Sequence, residues 1–402
     1  MISLEEAVDR ILQAMPVLGS ERISIAQAAH RVIAEAVTAA TDLPGFDNSA
    51  MDGYAVRAAD VALATIENPM TLRIVGHLSA GEPGNPEMRS GECIRVFTGA
   101  PMPRGADAVV MQEDTRPSNE RGASVEILAA ATSWENVRFQ GEDVKMGDVL
   151  VDRGESVKLG ALGLLAAAGC SEVTVTRRPT VGLLATGNEL LEVGASPAPG
   201  KIFESNRLAL AQLLEKLGAI AKVYPIVPDS KLATEQALER ALGECDGILT
   251  TGGVSVGDHD WVKAAFTGIG GQLEFWKVAV RPGKPFTFGQ RLGKFWFGLP
   301  GNPISAWVTA LLLMAPAIRR WQGANETRWP MHPGILQEPV ENLTSRRHFM
   351  RVRVDAEGRV WSAGIQASHI LRPLAQANGL LDVPPESRIS AETVVRVLRW
   401  EI

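Results

Sequence analysis

Cysteine is scarce in this chain: three in 402 residues, Cys93, Cys170 and Cys245, each more than 70 positions from the next and none in a CxxC pair. That excludes a disulfide framework and a thiolate metal site, and leaves small core side chains as the reading for all three. Long apolar runs are missing as well. The longest, Ala306 to Ile318, has 13 residues and contains Thr309 and Pro316, whereas a membrane helix needs about 20. The chain opens on Glu5, Glu6 and Asp9 rather than on basic residues before an apolar block; this predicts a cytoplasmic protein with no membrane partner. There is no basic excess either, since 40 Lys and Arg against 46 Asp and Glu leave a formal charge of −6. Nucleic acid is therefore not expected as a partner, because phosphate backbones are held by basic faces. Any anion site must be a local cluster. Finally, no GxxxxGK[ST], GxGxxG or HExxH occurs, so the usual signatures of nucleoside triphosphates, dinucleotides and zinc hydrolases are absent.

What is present is a chain long enough for two to four domains. Ser3 with Glu6 forms a capping box before a stripe of Leu4, Ala7, Val8, Ile11 and Leu12, and Ser24 with Gln27 precedes a second stripe of Ile25, Ala28, Ala29, Val32 and Ile33. Two amphipathic helices are predicted. After LPGFDNSAMDGYA, starting at Leu43, short strands and turns run to about Gln140, and a helical segment from Leu159 to Ala168 then returns to the earlier character. A β-rich piece is thus inserted into a discontinuous helical domain. From Val181 strands and helices alternate up to a helix from Ile304 to Trp321, which implies βαβ units and a mostly parallel, helix-covered sheet. Beyond Trp329 the pattern is again strand-like. The fold class expected is multidomain α/β: a central three-layer domain over 179–325, a discontinuous helical domain over 1–45 and 140–178, a β-rich insert over 46–139 and a small C-terminal β domain over 326–402.

Chemistry concentrates at strand ends. TTGGVSVGDHDW, Thr250 to Trp261, follows an apolar strand. Gly252 and Gly253 allow backbone N–H groups to converge on an anion, Thr250, Thr251 and Ser255 add hydroxyls, and Asp258 and Asp260 suit a Mg²⁺ ion bridging to phosphate. A plain glycine turn with an Asp helix cap fits the same spacing. In FWKVAVRPGKPFTFG, Lys277 and Arg281 fall on one face of a period-2 strand and Lys284 on the following turn. These three cations make either a local anion trap or a solvated edge strand. VGLLATGNEL ends a strand at Thr186 and Gly187 and carries Glu189, which could instead complement a helix dipole. Pro300 and Asn302 lie in GLPGNPISA, another strand-to-helix turn, and Asp229 is a helix cap or a metal-side carboxylate in equal measure.

Taken together, LPGFDNSAMDGYA, RVFTGAPMPRGADAVVMQED, VRFQGEDV, TGNEL, TTGGVSVGDHDW, FWKVAVRPGKP and GLPGNPISA resemble the bacterial molybdopterin molybdenumtransferase family, MoeA. The resemblance covers roughly residues 40 to 310 and implies an elongated homodimer of four-domain subunits with a composite active site. It also implies insertion of metal from molybdate into adenylylated molybdopterin, with phosphoanhydride cleavage, release of AMP and a need for Mg²⁺. On that basis Glu189, Asp229 and Asp260 orient Mg²⁺, and Lys277, Arg281 and Lys284 hold phosphates or molybdate. Thr186, Gly187, Thr251, Gly252, Gly253, Ser255, Gly257, Pro300 and Asn302 cradle the pterin phosphate. Asp52, Thr98 and Arg138 reach in from the other subunit, and Arg347 and Arg351 are carried over from the terminal domain. Asn188 departs from the Asp often found there. The partners implied are a molybdopterin adenylyltransferase and downstream molybdoenzyme chaperones. A non-catalytic molybdopterin-binding scaffold and a molybdopterin adenylyltransferase remain the alternatives.

Overall fold

Helix α1 (Leu4–Ala14) begins where the capping box places it, with the Ser3 hydroxyl accepting the Glu6 N–H at 3.0 Å, and it buries Ala7, Val8 and Ile11. The structure is a computed structural model and describes residues 1–82, 86–118, 123–253 and 261–400. The second predicted helix forms only a single 3₁₀ turn, Ile25–Gln27. His30 takes a left-handed φ of 61°, and Val32 and Ile33 are bridged to Ser156 and Val175. Pairing with the returning chain therefore outweighs the helical stripe, as it can for β-branched residues whose helix propensity is low. The same return pairs Ser20–Ser24 antiparallel with Glu172–Thr176. Helix α2 (Leu159–Ala167) then packs Leu165 into a small shared core with Ala28, Val157 and Val173. The segments flanking the insert are thus half helix and half strand.

Between them lies a six-stranded sheet in the order Ala108–Met111, Gly53–Val56, Glu92–Val96, Met70–Leu78, Ser124–Ile127, Thr115–Pro117. The central unit contains strands β1 (Thr180–Ala185), β2 (Ile220–Val223), β3 (Gly247–Thr251), β4 (Gln272–Trp276), β6 (Thr287–Arg291) and β7 (Lys294–Leu299) in the spatial order β2-β1-β3-β7-β6-β4. The first four of that order are parallel, and β6 runs against both neighbours.

Strand alternation sends the side chains of this sheet to two different cores. Val181, Leu183, Leu249, Phe295, Phe297 and Leu299 face a core shared with α1, α3 (Asn206–Lys216) and the final helices α6 (Pro303–Thr309) and α7 (Ala315–Trp321). Leu184, Ile248 and Trp296 face the other layer, helices α4 (Lys231–Glu244) and α5 (Trp261–Gly268). The expected single helix from Ile304 to Trp321 is continuous but widens to a π turn at Ala310–Met314, next to Pro316, whose ring nitrogen cannot donate to the preceding turn. Each fully buried aromatic here contributes roughly 1.5–3 kcal/mol. The first core also takes in Phe349, Leu380, Leu398 and Trp400, so it runs on into the C-terminal part.

That C-terminal part is a closed β structure in which β8 (Arg347–Val354) pairs with both Arg359–Ser362 and Gly379–Val383. Its outermost member is borrowed from the central segment. Lys277 adopts φ 68°, which ends β4, and the next strand, β5 (Val280–Arg281), joins the C-terminal sheet in parallel with β8. Lys277 and Arg281 are therefore not on one face of one strand; they belong to different sheets. The cysteines are inert core residues or half-buried, and burial pushes the Cys93 thiol up to about 12. Among the described residues no helix is long and apolar enough to cross a membrane.

Candidate active site at the carboxyl edge of the sheet

In the order β2-β1-β3 the chain leaves β1 to one side and comes back on the other. Such a reversal opens a crevice at the carboxyl ends of the strands, where open α/β sheets bind ligands. Here the crevice is formed by Thr186 and Gly187 after β1, Gly252 and Gly253 after β3, and Pro300 and Gly301 after β7. The backbones touch. A Cβ on Gly252 would sit 2.9 Å from the Thr186 carbonyl oxygen, one on Gly253 2.3 Å from Val262 Cγ2, and one on Gly301 3.5 Å from the Gly252 Cα. Gly252 and Gly253 also hold φ of 86° and 64°, open mainly to glycine. The Gly252 N–H donates to the Leu299 carbonyl at 3.2 Å, which locks β3 to β7. Thr250 turns away from the crevice and accepts the Trp296 indole N–H at 2.9 Å. Residues 254–260, with Ser255, Gly257, Asp258 and Asp260, lie outside the described residues.

The acidic side of the crevice is built on β1. No helix follows Gly187; Leu190–Leu191 instead forms a short parallel pair with Ile202–Phe203, so Glu189 is not complementing a helix dipole. Its carboxylate folds back over Gly187, where an added Cβ would lie 2.6 Å from Oε2 and 2.7 Å from Oε1. Asn188 and Asp229 form a reciprocal pair. The Asn188 N–H donates to Asp229 Oδ2 at 2.9 Å, and the Asp229 N–H donates to Asn188 Oδ1 at 3.2 Å. The cap of α4 is Ser230, whose hydroxyl accepts the Ala233 N–H at 3.2 Å. Asp229 is therefore left facing Asn188 rather than capping a helix. Among the described residues no group of three metal-capable side chains is assembled. Glu189 and Asp229 supply hard oxygen donors only.

The basic side enters from β4 and β5. Because β6 is antiparallel to β7 and β4 antiparallel to β6, the end of β4 and the start of β6 lie on the same carboxyl edge as Gly252 and Pro300. Lys277 stands there with its ammonium 3.6 Å from the centre of the Trp276 ring, and Lys284 is exposed on the turn before β6. Arg281 continues into the C-terminal sheet directly beside His348. The C-terminal part also reaches the crevice through Ser368, which accepts the Asn302 side-chain amide at 3.2 Å and, through its carbonyl, the Ile304 N–H at 3.2 Å. Asn302 thus spends its side chain on Ser368 instead of capping α6. The loop carrying Ser368 is tied to Arg351, whose Nη2 donates to the Ile365 carbonyl at 2.6 Å and whose backbone N–H donates to Gln366 Oε1 at 2.9 Å. Arg347 is occupied elsewhere: Nε donates to Asp382 Oδ1 at 2.6 Å, Nη2 to Asp382 Oδ2 and Nη1 to Glu5. Its fork ties α1 to the C-terminal sheet.

The insert supplies a separate polar group. Asp52 Oδ1 accepts the Thr98 N–H at 2.7 Å and the Thr98 hydroxyl at 2.9 Å, and these bonds with Arg95 nearby hold its carboxyl below the usual range. Arg138 lies across from Asn48 on a neighbouring strand pair. Every hydrogen bond made by Asp52 and Thr98 among the described residues stays within the insert.

Residue reasoning on the sequence missed four contributors. Glu204 and Arg207 are each 5% exposed and hold the excursion between Glu189 and α3 in place. His348 and Arg346 flank Arg281 across the domain junction. A signal existed for the first pair, the acid–Ser–Asn–Arg run ahead of an apolar helix; the others depend on long-range strand register.

The chain matches three families in succession: residues 2–169 the MoeA N-terminal region (domain I and II), residues 182–320 a probable molybdopterin binding domain, and residues 333–400 the MoeA C-terminal region (domain IV). It is 37% identical to the molybdopterin molybdenumtransferase of Haemophilus influenzae over 99% of this chain and 98% of that one. It is 36% identical to molybdopterin molybdenumtransferase 2 of Mycobacterium tuberculosis, with both chains fully covered. A crystal structure of the molybdopterin biosynthesis moeA protein from Pyrococcus horikoshii superposes over both full chains with a TM-score of 0.86 at 29% identity.

Proposed function

Because the chain belongs to the MoeA family of molybdopterin molybdenumtransferases, transferases of molybdenum cofactor biosynthesis, we propose that the crevice binds adenylylated molybdopterin and accepts metal from molybdate, with AMP released. The observation that carries this reading is the division of charge along one sheet edge. Carboxylates stand after β1 and between β2 and α4, cations at the end of β4 and on β5, and a glycine-lined floor lies between them. A polyanion laid along that edge meets Lys277 and Lys284 with its phosphates. Arg281, Arg346 and Arg351, which no carboxylate pairs among the described residues, form a subsite for the tetrahedral oxyanion.

Glu189 and Asp229, with Asp260, would hold Mg²⁺. Their all-oxygen donor set suits it, since Mg²⁺ commonly takes one or two carboxylates and completes its shell with water and substrate phosphate. When bound, Mg²⁺ supplies charge neutralisation at the phosphoanhydride. The protein's own residues position the reactants and stabilise charge, which dominates phosphoryl chemistry and requires no protein nucleophile. The dithiolene sulfurs of the pterin are the metal's ligands, in keeping with cysteines that are buried or scattered. Asp52, Thr98 and Arg138 of a second copy would complete the site in a homodimer; that their contacts stay within the insert supports a role outside their own subunit.

The test is direct. Purified protein given adenylylated molybdopterin, Mg²⁺ and molybdate should release AMP, and Asp260→Ala should bind the pterin but release little. Tight pterin binding by the wild type with no AMP release would favour a scaffold. Consumption of Mg·ATP with pyrophosphate release would favour adenylyl transfer. A second variant probes the position of Glu189: Gly187→Ala puts a methyl group within 2.6 Å of Glu189 Oε2 and on a backbone φ of 158° that side chains rarely adopt, so the carboxylate must swing away. Turnover should fall by roughly 10²-fold, the scale of a 1 Å misplacement, together with a lower melting temperature from the strained backbone. Unchanged turnover would remove Glu189 from the mechanism.

A further inference from the structure

His348 is 4% exposed, and neither Nδ1 nor Nε2 has a hydrogen-bond partner. In register beside it on β5 is Arg281, whose side chain makes no hydrogen bond or ion pair among the described residues. On its own strand Arg351 is 1% exposed with an unpartnered Nε. Arg346, just before β8, offers only a 3.4 Å bond to the Val280 carbonyl. The remaining elements packed around the imidazole bring no free negative charge. Asp382 on the adjacent strand is bound by Arg347, Asn342 donates its amide to the carbonyls of Arg346, Val383 and Pro384, and Gln366 pairs with the Arg351 backbone. Buried polar atoms and buried charges ordinarily find partners. A silent imidazole in register with Arg281, on the face of Arg346 two residues before it, and within electrostatic reach of Arg351 across the strand is the arrangement an anion would balance.

We propose that His348 takes up a proton when a tetrahedral dianion enters the cluster of Arg281, Arg346 and Arg351, so that oxyanion affinity rises as the pH falls. This rests on the oxyanion subsite proposed above. In the protein without oxyanion, burial and then the repulsion of Arg281, Arg351 and Arg346 hold the imidazole down to about 4, so it is neutral near neutral pH. Two negative charges placed among the same arginines cancel that repulsion and raise the imidazole's proton affinity. Between the free and bound values each binding event draws in a fraction of a proton. The added affinity is present below the bound value and is lost as the pH climbs through it. The effect is worth at most about tenfold per pH unit.

Calorimetric titration of the full chain with molybdate, in buffers of differing ionisation enthalpy between about pH 6 and pH 8, counts the protons directly. The wild type should take up a measurable fraction of a proton per molybdate, and its Kd should fall as the pH is lowered. His348→Gln should bind molybdate with no such uptake, which also controls for protons on the oxyanion itself. Histidine NMR of the wild type, with and without molybdate, reads the same proton without any variant. Binding without proton uptake, or uptake that survives in His348→Gln, overturns the proposal alone. No molybdate binding at any pH overturns the subsite on which it rests.

Discussion

Glu204→Ala is expected to destabilise the protein by about 3–5 kcal/mol, the cost of leaving a buried charge without its partner. Glu204 does two things at once. Its Oε1 accepts the N–H groups of Asn206 and Arg207 at 2.7 and 3.0 Å, which caps α3, and its Oε2 accepts Arg207 Nε at 2.8 Å. Arg207 in turn donates to the Tyr224 carbonyl at 2.5 Å and to Glu192 at 2.7 Å, so one guanidinium pins the end of β2, the excursion after Glu189 and the start of α3. Without Glu204 the guanidinium keeps only a carbonyl and the exposed Glu192 carboxylate. At roughly 2–4 °C per kcal/mol, the melting temperature should drop by roughly 10 °C. Glu204→Gln, which preserves an acceptor for the cap but not the charge, should fall between. A melting temperature for Glu204→Ala within about 2 °C of wild type would mean that Glu192 alone satisfies Arg207.

The same residues show where sequence reasoning succeeds and where it stops. The α/β unit is legible because its signals are local: apolar strands of five or six residues, helices closed near glycine, and Gly252 and Gly253 at a strand end where the chain must take positive φ. Its candidate ligand edge stands out for the same reason, since strand-to-loop junctions carry the polar residues. Period-2 spacing fails at Lys277, because a single left-handed residue hands the next strand to another sheet, and the pairing partner of Arg281 is 67 positions away at His348. Helical spacing fails between Ser24 and Ile33 because Ser156 and Val175 claim the backbone of Val32 and Ile33. The sequence leaves Asp229 between a helix cap and a crevice carboxylate, and its neighbour Ser230 takes the cap. Long-range register settles the first two of these cases, and no local pattern encodes it.

Register also separates Arg281 from Arg347, and this leads to the largest functional effect expected of any substitution. Arg281→Ala should reduce molybdate-dependent AMP release by about 10²–10³-fold, the scale seen when one preorganised donor is removed from a reacting site, with pterin binding and melting temperature near those of the wild type. The side chain has no hydrogen bond or ion pair to lose among the described residues, while β5 is held to β8 through its backbone. Arg281→Lys keeps the charge but not the planar fork and should recover part of the activity, mainly at high molybdate. Arg347→Ala should behave in the opposite way. It strands Asp382 and releases Glu5, so α1 loosens from the C-terminal sheet and the melting temperature falls, whereas the molybdate concentration for half-maximal turnover should hardly move. If both variants lowered stability and neither changed the molybdate dependence, the cations at the domain junction would be structural, and the oxyanion would have to be held by Lys277 and Lys284 alone.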